Sequence, residues 1–362
     1  MVNTNNQYSK MSTDVVIEKT IFASVMDNGF WHRWIVHGID EEFIKENKSK
    51  MISLKGWTET LAGKALEYTK VAGRFEERND FFQAEHNYRK AAIYYNLAQW
   101  VFPEPSRERI DWYKRCVKQT HLADQVSEDT INHHTLSICG KKYVGRVRIP
   151  KGTLLGLVIL VIPIDSTKEE FFLYEQDFAK KGFVVISFDG TGQGETLLIH
   201  GHKADIKSFE QFTQGIIEFA YQNFPDLSIN LFGTSSGGAW AIEASKNSLV
   251  SKTAVVSPPP KSKSTIKLPD YFIVRMSNML VDIKEDCLPL FETVEEIDNI
   301  LMFHGGKDLL VNKDELLELF NRFAQEKRFL TYDEEGHCCN FKLPEIRRRV
   351  SEWFKGGNIH DI

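Results

Sequence analysis

The chain has 362 residues, 42% of them apolar and 26% charged, a globular balance that fills two domains or one large domain with an insertion. Its formal net charge of -5 gives no electrostatic basis for binding nucleic acid or an anionic membrane. Five cysteines (Cys116, Cys139, Cys287, Cys338 and Cys339), without framework spacing or a CxxC pair, argue against a disulfide scaffold or a metal site and for a reducing, cytoplasmic setting.

Met1 to Asp14 is polar and lacks the basic-then-apolar layout of a secretory signal. From about Val15 to Gln125 large residues recur at three-to-four spacing, the period of an amphipathic helix. Trp57, Leu61, Ala65, Leu66, Tyr68 and Val71 predict a helix over Gly56 to Ala72, with Gly73 as its stop signal. Ala84, Tyr88, Ala91, Ala92, Tyr95 and Ala98 form a second stripe over Phe81 to Phe102, ended by Pro103 and Pro105. A third helix is expected from Ser106 to Asp124.

After about Asp129 the period changes. Strand-like runs fall at Thr135–Cys139, Tyr143–Ile149, Leu154–Ile162, Phe183–Phe188, Leu227–Phe232, Thr253–Ser257, Ile300–Phe303 and Arg328–Tyr332, and helical segments separate most of the later ones. This alternation predicts an α/β fold with a mostly parallel, doubly wound sheet, led by an antiparallel hairpin across Gly140-Lys141-Lys142. The apolar run Leu154–Ile164 is far short of the ~20 residues that span a bilayer and reads as a buried strand. The expected division is a helical domain over 1–128 and an α/β domain over 129–362. Within the latter, 258–299 opens on Pro258-Pro259-Pro260-Lys261-Ser262-Lys263-Ser264. It is either a minor insertion that helps line a site or a surface helix packed on the body.

Gly233-Thr234-Ser235-Ser236-Gly237 has the form G-x-S-x-G, following the apolar strand Ile229–Phe232 and preceding the helical Ala239–Ala244. A nucleophile elbow requires this strand–turn–helix setting, with glycines where a side chain would strike a neighbouring element. The serine then stands at a helix N-terminus, where free N–H groups and the dipole favour an oxyanion. Ser235 has glycines at both minus two and plus two and is the predicted nucleophile; Ser236 is placed to offer its backbone N–H.

A serine needs a base, and the base an acid to orient it. On such elbows the chain order is serine, acid, histidine. Of the histidines after Ser235, His337 lies just past the last strand and is preferred to His304, at a strand end, and His360, in a polar tail. Asp308, in the loop His304-Gly305-Gly306-Lys307-Asp308, is the preferred acid; Asp333 and Glu335 stand too near His337 along the chain. His304 is expected to pack beneath that loop with a local hydrogen bond. The other oxyanion donors are expected from the loop after Leu154–Ile162, at the N–H groups of Ile164 and Asp165. Ser166 looks like a helix N-cap, with Glu169 completing a capping box. Asp189-Gly190-Thr191-Gly192-Gln193-Gly194-Glu195-Thr196 lacks the third glycine of a dinucleotide-binding turn and reads as a tight structural loop at the site mouth. No cofactor motif is present.

Several of these runs are similar to one α/β-hydrolase family. Ile164-Asp165-Ser166-Thr167-Lys168-Glu169-Glu170 resembles its GLDSTKEE-type oxyanion loop, and Phe188 to Glu195 its D-G-P-G-Q-G-E loop. Arg33-Trp34 with Gly38-Ile39-Asp40 resembles its R-W…Y-G-x-D motif, and Tyr88 to Tyr95 its Y-x-R-A-A-x-Y-Y helix. The family contains the fermentation-respiration switch protein-like esterases, 2,6-dihydroxypseudooxynicotine hydrolase and fungal yellowish-green polyketide-shortening hydrolases. The chain departs from the pattern at Ile162-Pro163 for two glycines, Thr191 for proline and Ser236 for leucine. The resemblance, over about Phe30 to Trp353, implies an N-terminal helical cap over a hydrolase site and a homodimer. It also implies cleavage of a carbon–carbon bond in 1,3-dicarbonyl-like or acylphenol substrates, or of simple esters.

The expected function is therefore hydrolysis of a ketone, ester or thioester of an aromatic or polyketide-like small molecule, in secondary metabolism. Trp31, His32, Tyr88 and Tyr95 are candidates for contacting the substrate and stabilising its leaving group, with core packing as the competing reading. Acyl transfer or cyclisation by the same triad is the alternative function, and a non-catalytic binding protein on the same scaffold the third.

Overall fold

The computed structural model describes residues 11–260, 269–282 and 287–361. The signal-peptide reading of residues 1–10, and residues 261–264 of the proline-led tract, lie outside them. The chain divides into two compact units, Met1–Glu128 with Lys267–Ile283, and Asp129–Ile266 with Lys284–Ile362. Among the described residues no helix is long and apolar enough to cross a membrane.

The first unit is helical. Its long helices are Leu54–Glu76, Phe81–Trp100 and Arg107–Gln125, each begun by a side chain that accepts from the first turn: Ser53, Asp80 and Ser106. The first of them runs through Gly73, where the sequence predicted its end. Ala72 packs with Tyr88, Ala84 and Ala123, and the Tyr88 hydroxyl donates to the Glu76 carboxylate at 2.7 Å. That packing of the last turn outweighs the ~1 kcal/mol that a mid-helix glycine costs. The stop falls instead at Asn79, the left-handed residue at φ 59°, beyond which the Asp80 N–H returns to the Phe75 carbonyl.

Helix Asp270–Ser277, from the 258–299 segment, belongs to this unit. Its buried Arg275 sits with the guanidinium carbon 3.9 Å from the Trp100 ring centroid and donates to the carbonyls of Trp100 and Phe102. Charge-assisted hydrogen bonds and a desolvated cation–π contact are each worth about 1–3 kcal/mol. Arg275→Ala is thus expected to release this helix, seen as preferential cleavage within 269–282 in limited proteolysis. Cleavage elsewhere first would contradict that assignment.

The second unit carries an eight-stranded sheet: β1 (Thr130–Ile138), β2 (Lys141–Ile149), β3 (Gly156–Val161), β4 (Phe183–Phe188), β5 (Ile229–Thr234), β6 (Val250–Val256), β7 (Ile300–Gly305) and β8 (Lys327–Tyr332). Their spatial order is β1-β2-β4-β3-β5-β6-β7-β8. β1 pairs antiparallel with β2 and β2 with β4, and every other pairing is parallel. The expected hairpin closes over Cys139 and Gly140, both at positive φ (50° and 79°), the I′ geometry that matches strand twist. β3, β4, β5 and β7 are buried along their whole length, as expected of largely apolar strands covered on both faces.

Candidate active site

The candidate residues cluster at the carboxyl ends of parallel strands, where open α/β sheets place their sites. β5 ends at Thr234 and helix Ser235–Ala244 begins at the next residue. Ser235 takes φ 50°, a strained conformation for a side-chain-bearing residue, costing about 1–3 kcal/mol. The turn is tight enough that a Cβ on Gly233 would stand 2.6 Å from the Gly237 carbonyl oxygen. One on Gly237 would stand 2.1 Å from that of Val161. Both glycines are steric requirements.

His337 Nε2 lies 2.9 Å from Ser235 Oγ, and its Nδ1 lies 2.9 Å from Asp308 Oδ2. The other Asp308 oxygen accepts from the N–H groups of Leu310 (2.9 Å) and Val311 (3.0 Å), which aims the carboxylate. Burial disfavours charge on Asp308, but His337 and those two N–H groups outweigh it and hold the carboxyl below its ordinary value. Burial likewise opposes charging His337. The adjacent Cys338 sulfur and the Asp308 carboxylate more than reverse this, so the imidazole is raised above the usual histidine value.

The Asp308 and His337 loops are joined by backbone bonds from Gly306 N–H to the Tyr332 carbonyl and from Lys307 N–H to that of Glu335. Ser257, at the end of β6, accepts the Cys338 N–H at 3.1 Å and so anchors the histidine loop. Neither Ser257 nor Cys338 was singled out in the sequence, since nothing local marks a residue that acts 81 positions away. His304 is buried as expected, but its Nδ1 makes no hydrogen bond and stands 3.9 Å from Asp308 Oδ2, which His337 already occupies.

Cys338 has a consequence for pH dependence. A base must be neutral, so raising its pKa moves the acid limb of kcat/KM to higher pH. Cys338→Ser removes the sulfur that favours the imidazolium, so the limb is expected at lower pH than in the wild type. A limb that stays in place or moves up would show that the sulfur does not tune His337.

On the other side of Ser235, the Ile164 N–H donates to Ser236 Oγ at 3.0 Å, and Asp165 is half-buried beside it. The loop that carries them is held from the turn after β4. Gln193 Nε2 donates to the carbonyls of Ile162 and Pro163, each at 2.9 Å, while its Oε1 accepts the Gly190 N–H. Asp189 Oδ1 accepts the Lys168 N–H, and its Oδ2 accepts both Lys168 Nζ and the Glu195 N–H. The cap expected at Ser166 with Glu169 is formed one residue later, by Thr167 with Glu170. Glu169 cannot return to the cap, because its carboxylate pairs with Lys168 Nζ at 2.7 Å.

The fold has a counterpart among solved structures. The 2,6-dihydroxy-pseudo-oxynicotine hydrolase superposes with a TM-score of 0.76 over 91% of this chain and 96% of its own, at 21% identity. The chain has the α/β-hydrolase fold. The Hydrolase_4 family model, described as serine aminopeptidase, S33, matches residues 169–281. The 2,6-dihydropseudooxynicotine hydrolase of Paenarthrobacter nicotinovorans is 24% identical over 217 residues, 59% of this chain and 58% of that protein. Hydrolase pyiE of Pyricularia grisea is 30% identical over 128 residues, 33% of this chain and 26% of its own. The aligned stretches thus span between about a quarter and somewhat over half of these relatives.

The aromatic candidates of the helical unit are engaged in packing. Trp31 is buried, donates its indole N–H to the Ser24 carbonyl at 2.7 Å and stacks on Trp57. Tyr88 belongs to the alanine cluster described above, and buried Tyr95 stacks on Trp112. His32 is half-buried in helix Gly29–Val36. Among the described residues the carboxylates of Glu169, Asp189 and Glu195 converge closely enough to hold a cation, and Lys168 Nζ already fills that place at 2.7–2.8 Å from each.

Proposed function

We propose that the chain is a serine hydrolase that attacks an activated carbonyl carbon of an aromatic or polyketide-like ketone or ester. Ser235 is the nucleophile, His337 its general base, and Asp308 the group that fixes the histidine tautomer. The observation that carries this reading is the continuous line Ser235–His337–Asp308, both contacts 2.9 Å, with the serine on a strained elbow.

In the acylation step Ser235 Oγ bonds to the carbonyl carbon as its proton passes to His337 Nε2. The tetrahedral oxyanion lies between the Ser236 N–H and the Ile164–Asp165 loop. Collapse breaks the bond to the leaving group, which takes the proton back from His337: an alkoxide or thiolate from an ester or thioester, a stabilised carbanion from a ketone. Water, deprotonated by His337, then releases the acid and restores Ser235. The family resemblance supports the carbon–carbon option as well as the ester, and it also supports a homodimer, which sedimentation equilibrium tests.

The decisive experiment is fluorophosphonate labelling followed by peptide mass spectrometry, with the adduct expected on Ser235. Turnover in 18O water of p-nitrophenyl esters, aryl β-diketones and acylphenols is expected to leave one solvent oxygen in the acid product. An unlabelled acid, with the acyl group delivered to another nucleophile, would turn the reading to acyl transfer. No adduct at all would sink it.

A further inference from the structure

Ser236 follows the proposed nucleophile and is half-buried. Its Oγ accepts the Ile164 N–H at 3.0 Å. That N–H is the first donor of the loop beyond Pro163, which carries none. In this structure the donor expected to meet the oxyanion directly therefore points at a side chain instead.

A hydroxyl has one proton and two lone pairs. Ile164 fills one lone pair, and among the described residues no hydrogen bond uses the proton of Ser236. Accepting a bond polarises a hydroxyl and makes it a better donor. We propose that the Ser236 hydroxyl is itself an oxyanion donor: it presents its proton to the carbonyl oxygen, and the Ile164 N–H acts through it. Ser236 then supplies two donors, its own N–H at the helix N-terminus and its side chain. No proton leaves the hydroxyl; its hydrogen bond tightens as the carbonyl oxygen gains charge and relaxes on collapse.

The inference rests on the serine-hydrolase reading, and the test separates the two. Ser236→Ala removes the hydroxyl and re-exposes the Ile164 N–H, whereas Ser236→Thr keeps a hydroxyl. The probes are p-nitrophenyl butyrate for turnover and trifluoroacetophenone, which forms a tetrahedral adduct with serine, for binding. Losing one oxyanion donor costs about 10²–10³-fold, and the freed Ile164 N–H should recover part of that. Ser236→Ala is expected to lower kcat about 10- to 100-fold with KM little changed, to weaken trifluoroacetophenone by the same factor, and to melt like the wild type. Ser236→Thr is expected to keep most of the activity. An alanine variant as fast as the wild type or faster would overturn the proposal, since the hydroxyl would then only plug the Ile164 N–H. A threonine variant as impaired as alanine would overturn it too. If the wild type neither takes a fluorophosphonate on Ser235 nor turns over the ester, the hydrolase reading fails first.

Discussion

Ser235→Ala is expected to lower kcat on the order of 10⁶-fold, the loss measured when a catalytic serine acting with its histidine is deleted. The size follows from what Ser235 does in the proposed mechanism: without Oγ there is no acyl intermediate, and His337 has no hydroxyl to deprotonate. What remains is background catalysis by the oxyanion donors and binding, roughly 10³–10⁴ over water. Because Ser235, His337 and Asp308 act as one unit, His337→Ala added to Ser235→Ala is expected to cost little more than either alone. Steady-state kinetics on an accepted ester reads both effects. A Ser235→Ala variant that kept more than about a tenth of the wild-type kcat would remove Ser235 from the reaction.

Lys168→Met is expected to destabilise the α/β unit by about 3–5 kcal/mol, the usual cost of stripping one partner from a buried ionic cluster. Lys168 Nζ lies 2.7–2.8 Å from carboxylate oxygens of Glu169, Asp189 and Glu195, and its side chain is 2% exposed. Methionine replaces the stem's volume but leaves these carboxylates crowded without their cation. Burial already lifts Asp189 above the ordinary carboxylate range, with Lys168 pulling the other way. Without the lysine the native pKa of Asp189 rises further above its unfolded value. A group shifted up in this way binds its proton more tightly in the folded state, so stability is retained at low pH and lost as pH rises through the folded pKa. The melting-temperature deficit of Lys168→Met is therefore expected to be larger at alkaline than at acidic pH. An equal deficit at every pH would mean that the lysine matters through packing alone. Since Asp189 also accepts the Lys168 N–H, kcat is expected to fall with the loss of order in the loop that carries Ile164.

Much of this protein was legible before the structure because its constraints are local. Alternating apolar runs and helical stripes determined an α/β fold with a helical N-terminal part, and the eight strands overlap the predicted runs, β1 beginning at Thr130 rather than Thr135. The elbow was readable because its demand for glycine at minus two and plus two is a steric rule within five residues. The order serine, acid, histidine then selected Asp308 and His337 from few alternatives, and the structure sets these three side chains within hydrogen-bonding distance.

The tertiary structure decided what depends on partners distant in sequence. Gly73 read as a helix stop until Tyr88, packed against Ala72, carried the helix on to Glu76. Ser166 and Glu169 had capping-box spacing, but a buried lysine took the glutamate and moved the cap to Thr167. Gln193, Ser257 and Cys338 stand in turns with no motif that announces their contacts with the Ile164 and His337 loops. Ser236 shows the boundary most clearly. Its place after Ser235 was evident from sequence, whereas its bond to Ile164, 72 residues away, exists only because the elbow and the loop after β3 meet at the same sheet edge.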